Sequence, residues 1–325
     1  MQKKVLALMV ILSSNAYAAT VELGFENERY TRDQYKTSDV FMPYISTSFN
    51  PIEDSSLNIS MKYMYQDQYG KKHATTPKDQ FKTNRDRIEV IAKGYSWKNG
   101  NFSFSPQAGF RYESWDINYL TNTGKQDRSK LELRFYPNMD YKINDQVNVY
   151  LSGFVAPVFM KTKQESRKGD HYVKGELSTN NYNGDYYHEL QLLGVRYKIN
   201  KNNSLWSSIY NERKYSEDAS KYDRWQLRVG YNVNVINDLS FSPFVRYDLH
   251  YKEENIESAK FVKDHGKSRN KDELRIGSGF NYKATSTVNI VGEVYWQTAK
   301  VESYSGVSSD DKNRMFYKLA VRKSF

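Results

Sequence analysis

Residues 223–251 read DRWQLRVGYNVNVINDLSFSPFVRYDLHY. Trp225, Leu227, Val229, Tyr231, Val233 and Val235 alternate with Arg224, Gln226, Arg228, Gly230, Asn232 and Asn234. Past Ile236, Asn237 and Asp238 the pattern restarts. Leu239, Phe241, Pro243, Val245, Tyr247, Leu249 and Tyr251 now alternate with Ser240, Ser242, Phe244, Arg246, Asp248, His250 and Lys252. A period of two marks strands, and the short Asn-Asp break marks a tight hairpin. One face is apolar and the other carries arginines. In a soluble sheet the apolar face would form the core and the arginines would meet bulk water. In a membrane barrel the same alternation is inverted, with apolar residues out and polar ones in.

The composition favours inversion. The chain has 325 residues, a mean hydropathy of −0.82 and only 38% apolar residues, which is lean for a large dry core. Yet 28 Tyr, 16 Phe and 5 Trp exclude ordinary disorder. The start, MQKKVLALMVILSSNAYAAT, combines Lys3 and Lys4, an apolar run from Val5 to Leu12, and a small-x-small Ala16-Tyr17-Ala18 site. These are the parts of a cleavable export signal, which predicts a leader over 1–18 and a mature domain over 19–325. No other apolar run approaches the length of a spanning helix. With no cysteine, disulfides, thiol chemistry and cysteine-based zinc sites are excluded. Without the leader's lysines the chain carries 46 basic and 38 acidic groups. Export and the lack of any nucleic-acid-binding motif argue against a nucleic-acid partner. No cofactor or metal motif is present.

Alternating segments recur near 20–30, 38–49, 56–68, 83–97, 102–119, 128–143, 147–163, 184–199, 204–215, 223–235, 239–253, 271–283, 288–303 and 313–325. They predict fourteen strands. Short connections at 50–55, 98–101, 144–146, 200–203, 236–238 and 284–287 are rich in Asn, Asp and Gly, or in Ser and Thr. They alternate with long ones near 31–37, 69–82, 120–127, 164–183, 216–222, 254–270 and 304–312. An even strand number with short turns at one end and long loops at the other is the layout of bacterial outer-membrane barrels. The predicted fold is therefore all-β: a transmembrane antiparallel barrel with short periplasmic turns and long extracellular loops. Strands near 38–49 and 83–97 have mixed phase, which predicts bulges. A soluble sandwich is the competing fold, but sandwiches rarely sustain so many long consecutive hairpins.

The apolar faces then meet outer-membrane lipid and lipopolysaccharide, and the opposite faces line a lumen. The predicted lining is Lys62, Arg85, Arg87, Glu89, Arg111, Glu113, Glu132, Arg134, Arg196, Arg228, Arg246, Asp248, Glu273, Arg275, Glu293 and Arg322. Basic groups exceed acidic ones on this face, which predicts a mild anion preference, because rings of charge decide which ions enter a pore. Arginine forks also suit the carboxylates of acidic oligosaccharides. The alternative use of these charges is pairing along the wall: Glu132 with Arg134, Glu273 with Arg275, and Asp248 with Arg246. Inward aromatics, among them Tyr136, Tyr150, Phe154, Trp206, Tyr210 and Phe244, fill the wall or stack on sugars.

Several stretches resemble the OmpG family of monomeric outer-membrane porins: FSFSPQAGFRYESWDINY (102–119), MDYKINDQVNVYLSGF (139–154), SLWSSIYNERKY (204–215), ELRIGSGFNYK (273–283) and the closing Ser324-Phe325. The resemblance implies a monomeric fourteen-stranded pore that passes ions, sugars and oligosaccharides. It also implies insertion by the barrel assembly machinery through Phe325, although Lys323 stands where an apolar residue is expected. The family closes at acid pH through a loop histidine and a partner on the last strand. His265 lies near the first position, but Phe316 occupies the second. His265 is the gating candidate. Asp248-Leu249-His250 resembles half of the omptin protease site, in which Asp248 would orient His250 for base chemistry on one strand face. The second acidic pair of that family is absent. No plug domain fits between the cleavage site and the first strand, so an energy-coupled transporter is not expected.

Overall fold

The computed structural model describes residues 17–31, 39–69, 81–119, 125–168, 171–217, 220–256, 265–306 and 309–325. Fourteen antiparallel staves form one closed sheet. They are β1 (Tyr17–Tyr30), β2 (Val40–Asn50), β3 (Asn58–Tyr69), β4 (Phe81–Lys93, resuming at Trp97–Asn99), β5 (Phe102–Phe104 and Gln107–Tyr119), β6 (Lys125–Tyr136 and Met139–Lys142) and β7 (Val147–Lys168). The second half is β8 (His171–Lys198), β9 (Asn203–Tyr215), β10 (Ser220–Ile236), β11 (Leu239–Asn255), β12 (Ser268–Lys283), β13 (Val288–Glu302) and β14 (Ser309–Asp311 and Arg314–Ser324). Each stave pairs with the next, and β1 pairs with β14 from Thr20↔Ser324 to Tyr30↔Arg314. Closure satisfies the edges that an open sheet would leave bare, which hydrocarbon cannot solvate. The chain ends meet where Phe325 N–H donates to Ala19 C=O at 2.9 Å.

One local device recurs in three short turns. Asn144 Oδ1 accepts from the N–H groups of Gln146 and Val147 at 2.9 and 2.8 Å. Asn200 Oδ1 accepts from Asn202 N–H at 2.8 Å, and Thr285 Oγ1 from Val288 N–H at 3.0 Å. Each side chain replaces a backbone acceptor in the turn, which is why Asn and Thr occupy these positions. The interruptions in β5 and β6 fall at Ser105-Pro106 and Pro137-Asn138. Proline has no N–H for the ladder. Ser105 N–H donates to Asn138 C=O at 2.8 Å and bridges the two gaps.

The wall is inside out. Leu23, Phe110, Leu133, Leu227, Val245, Ile276, Leu319 and Val321 are exposed on the outer face, while Glu113, Glu132, Gln226, Asp248 and Glu273 are buried on the inner one. Trp97, Tyr141, Tyr197 and Tyr282 stand exposed toward the short-turn end, in the manner of an interfacial girdle.

Three expectations change. Residues 164–183 are largely strand: β7 and β8 stay paired through Gln164↔Ser178 to Lys168↔His171. That part of the hairpin has no apolar face, so the alternation that marks a lipid-facing strand is missing there. In β2 the pairing with β3 is regular from Tyr44↔Met64 to Phe49↔Ile59, so no bulge explains its mixed phase. Met42, Tyr44, Met64 and Ala320 instead form an apolar cluster on the inner wall. The bulge expected in 83–97 is instead a break of the strand between Lys93 and Trp97. The first sixteen residues of the expected leader lie outside the described residues, while Tyr17 and Ala18 begin β1.

Candidate functional site

All sixteen lumen candidates lie on the inner face, and the register arranges them in horizontal rows. One row runs Arg322↔Glu22↔Ser46↔Lys62↔Glu89↔Arg111↔Glu132, from β14 through β1 to β6. Its charges alternate in sign. Arg322 meets Glu22 at 2.7 Å, and Arg111 meets Glu89 at 2.7 Å. Lys62 reaches Glu26, two rows higher, at 2.8 Å. In the row between, Glu113, only 1% exposed, receives Arg87 at 2.6 Å, Lys130 at 2.9 Å and Arg85. Glu132, equally buried, receives Lys130 at 2.7 Å and Arg134 at 2.5 Å. Such networks hold because each buried carboxylate has several cationic partners.

The opposite sector differs. Arg228↔Arg246↔Arg275 are in register on β10, β11 and β12, and the row continues through Gln297 to Arg314. Arg228 donates to Gln226 Oε1 at 3.1 and 2.9 Å and lies 3.2 Å over the Tyr210 ring. Arg275 Nε donates to Glu273 at 2.6 Å. Arg246 lies 4.5 Å over the Phe244 ring. The row above is acidic. There Arg224 binds Asp248 at 2.8 Å and Glu273 at 2.6 Å. The expected pairs Glu132–Arg134 and Glu273–Arg275 form. Asp248 does not pair with Arg246; it is taken by Arg224 and by Gln226 Nε2 at 2.6 Å.

Arg196 lies near the short-turn mouth, half exposed, 2.9 Å from Asp140 and 4.0 Å over Tyr150. Glu293 stands opposite Lys318, below the arginine row. A cavity of about 520 Å³ opens inside β4–β10 and is lined by Arg85, Arg111, Glu113, Trp115, Lys130, Asp185 and Tyr222 among others. Lys130 and Glu212, the latter 3.5 Å from Arg224, belong to these networks, and Asp185 lines the cavity, although none of the three was a lumen candidate from the sequence. Lys130 lies mid-strand in β6 on the face of Glu132 and Arg134, so the same alternation marks it. Asp185 is a buried acceptor for Ser216 Oγ at 3.1 Å and for Glu217 N–H at 2.8 Å, a role visible only once β8 and β9 are paired.

The Asp-x-His pair is split by a bulge. Gln226 pairs with Asp248 but Trp225 pairs with His250, so Leu249 is an extra residue in β11. Paired residues share a face. Asp248 therefore points inward beside Gln226, while His250 points outward beside Trp225 and is exposed. The wall separates the two groups, which corrects the expectation that one face carries both. His265 sits in an exposed turn beside Gly266. Phe316, at the other gating position, stacks on Tyr295 at 4.6 Å and 12°. Among the described residues no group of three or more His, Asp or Glu side chains could hold a metal.

No family model and no curated protein matches this sequence. Solved structures do match in fold. The chain is similar to the CymD monoaromatic hydrocarbon channel, with a TM-score of 0.57, 9% identity, and 99% of this chain and 92% of that one covered. A Pseudomonas aeruginosa FadL homologue matches with a TM-score of 0.52, 10% identity, and 94% and 89% covered. A TodX monoaromatic hydrocarbon channel lacking S2 and S3 matches with a TM-score of 0.52, 12% identity, and 96% and 91% covered. The fold is thus a closed, fourteen-strand antiparallel β-barrel, as in these outer-membrane proteins. At these identities the likeness is one of fold.

Proposed function

We propose that the protein is an outer-membrane porin of the OmpG-like kind. It forms a water-filled channel for passive diffusion of ions, sugars and oligosaccharides, and it favours anionic ones. One observation carries this reading: an inner wall of guanidinium, ammonium and carboxylate groups inside an apolar outer belt. Lipid solvates the belt and water solvates the wall. The similar channels are named for hydrocarbons, but a wall this charged offers a hydrocarbon little apolar surface, and its aromatic rings lie beneath guanidiniums. Hydrophilic solutes fit it better. Arg228 and Arg246, which make no ion pair among the described residues, give one sector a positive field, which selects anions.

A protease reading of omptin type needs Asp248 and His250 on one face, and the bulge at Leu249 separates them. Each barrel encloses its own lumen, which supports a monomer as the conducting unit. Phe325, 70% exposed at the end of β14, is available to the assembly machinery. The test is insertion of the purified protein into planar bilayers under a salt gradient. Discrete conductance steps with an anion-selective reversal potential are expected. Clear cation selectivity at neutral pH would overturn the preference, and absence of conductance would overturn the channel.

A further inference from the structure

Arg228, Arg246 and Arg275 face one another across three adjacent strands. Strands lie about 4.8 Å apart, so the guanidiniums fall within a row roughly 10 Å long. Like charges directly opposed destabilise a sheet. The other half of the wall avoids this by alternating sign, so this row needs a separate reason.

Arg246 shows where the row is incomplete. Its Nε is buried and has no hydrogen-bond partner. Among the described residues it makes no ion pair: Asp248 belongs to Arg224, and Glu273 is shared by Arg224, Lys271 and Arg275. A buried donor left without an acceptor carries a desolvation cost. The row below explains how Arg228 and Arg246 are held without carboxylates, while Arg275 keeps Glu273. That row runs Trp206↔Gly230↔Phe244↔Gly277↔Tyr295↔Phe316. The glycines leave room for their neighbours. A Cβ at Gly230 would collide with the Trp206 ring, and one at Gly277 with Tyr295. Phe244 and Tyr295 then floor the guanidiniums of Arg246 and Arg275 at 4.5 and 5.4 Å. Such contacts hold a guanidinium while leaving its N–H edge available.

We propose that Arg228, Arg246 and Arg275 form a binding site for the carboxylates of an acidic saccharide, with Arg246 as its anchor. The site rests on the channel reading above and adds saturable recognition to it. A guanidinium fork matches a planar carboxylate in a bidentate way. A row of about 10 Å is longer than one inorganic oxyanion and suits carboxylates carried on successive sugar rings.

The test uses the full-length protein in planar bilayers, with trigalacturonate as probe and maltotriose and inorganic sulfate as comparisons. Trigalacturonate is expected to interrupt the current at concentrations on the order of tenfold lower than either comparison, as a bidentate charged contact implies. Arg246→Gln is expected to raise its blocking concentration about tenfold or more. Arg246→Lys keeps the charge but not the fork, and is expected to raise it several-fold. Lys252→Gln, on the outer wall, should leave block unchanged. Heat-modifiable gel mobility checks that each variant is folded. Equal block by sulfate, or wild-type block in Arg246→Gln or Arg246→Lys, would overturn the site. Anion-selective current with no saccharide block would overturn the site and leave the channel standing. No current at all would overturn both.

Discussion

Two sectors of the same inner wall solve the problem of charge in different ways. From β14 through β1 to β6, arginine or lysine faces glutamate across four of the six strand boundaries of one row. From β10 to β12, arginine faces arginine. The first sector consumes its charges internally: Glu113 alone binds Arg85, Arg87 and Lys130. In the second, the carboxylates sit one row higher around Arg224, and the arginine row rests on aromatic rings. Arg275 keeps an ion pair with Glu273, but Arg228 and Arg246 have none among the described residues. The number of basic residues on a face is thus a poor guide to its field; which row each carboxylate occupies matters more.

The comparison can be broken most strongly in the paired sector. Glu113→Gln leaves three cations around a neutral amide, and loss of one partner from a buried network costs about 3–5 kcal/mol. Urea unfolding in detergent should show that loss. In the arginine sector, Arg246→Glu would create the alternation that the other side already has. It is expected to move the reversal potential toward cations and to stabilise the sheet by about 0.5–1 kcal/mol, because opposite charges across strands attract. A double-mutant cycle on Glu89 and Arg111 should return a coupling of about 1 kcal/mol, whereas a cycle on Arg228 and Arg246 should return a coupling of opposite sign. Arg246→Gln alone should change unfolding stability by less than about 1 kcal/mol, since no ion pair is lost. The smallest effect is that of salt. Anion preference should fade between 0.1 and 1 M as the screening length drops from about 10 Å to about 3 Å.

Much of this architecture is legible in the sequence because a period of two survives wherever one face meets lipid. Trp225, Leu227 and Val229 mark the outside of β10, and Arg224, Gln226 and Arg228 mark the inside. The upper parts of β7 and β8 were not legible because both faces there are polar. The fate of Asp248 and His250 was not legible either. One extra residue, Leu249, reverses the face of everything after it, and no spacing rule announces which residue a bulge will hold.

The sequence by itself determined the strand alternation, the fourteen-stave layout, the hairpin turns and the side of the wall on which each arginine lies, because these follow from local patterning. Only the tertiary structure decided which charges are neighbours. Register across strands set Glu89 beside Arg111 and Arg246 between two arginines, and closure set Arg322 of the last stave against Glu22 of the first. Those partners are separated by up to hundreds of residues in the chain. Coulomb energy depends on distance in space, so the wall's field could not be read before the barrel was closed.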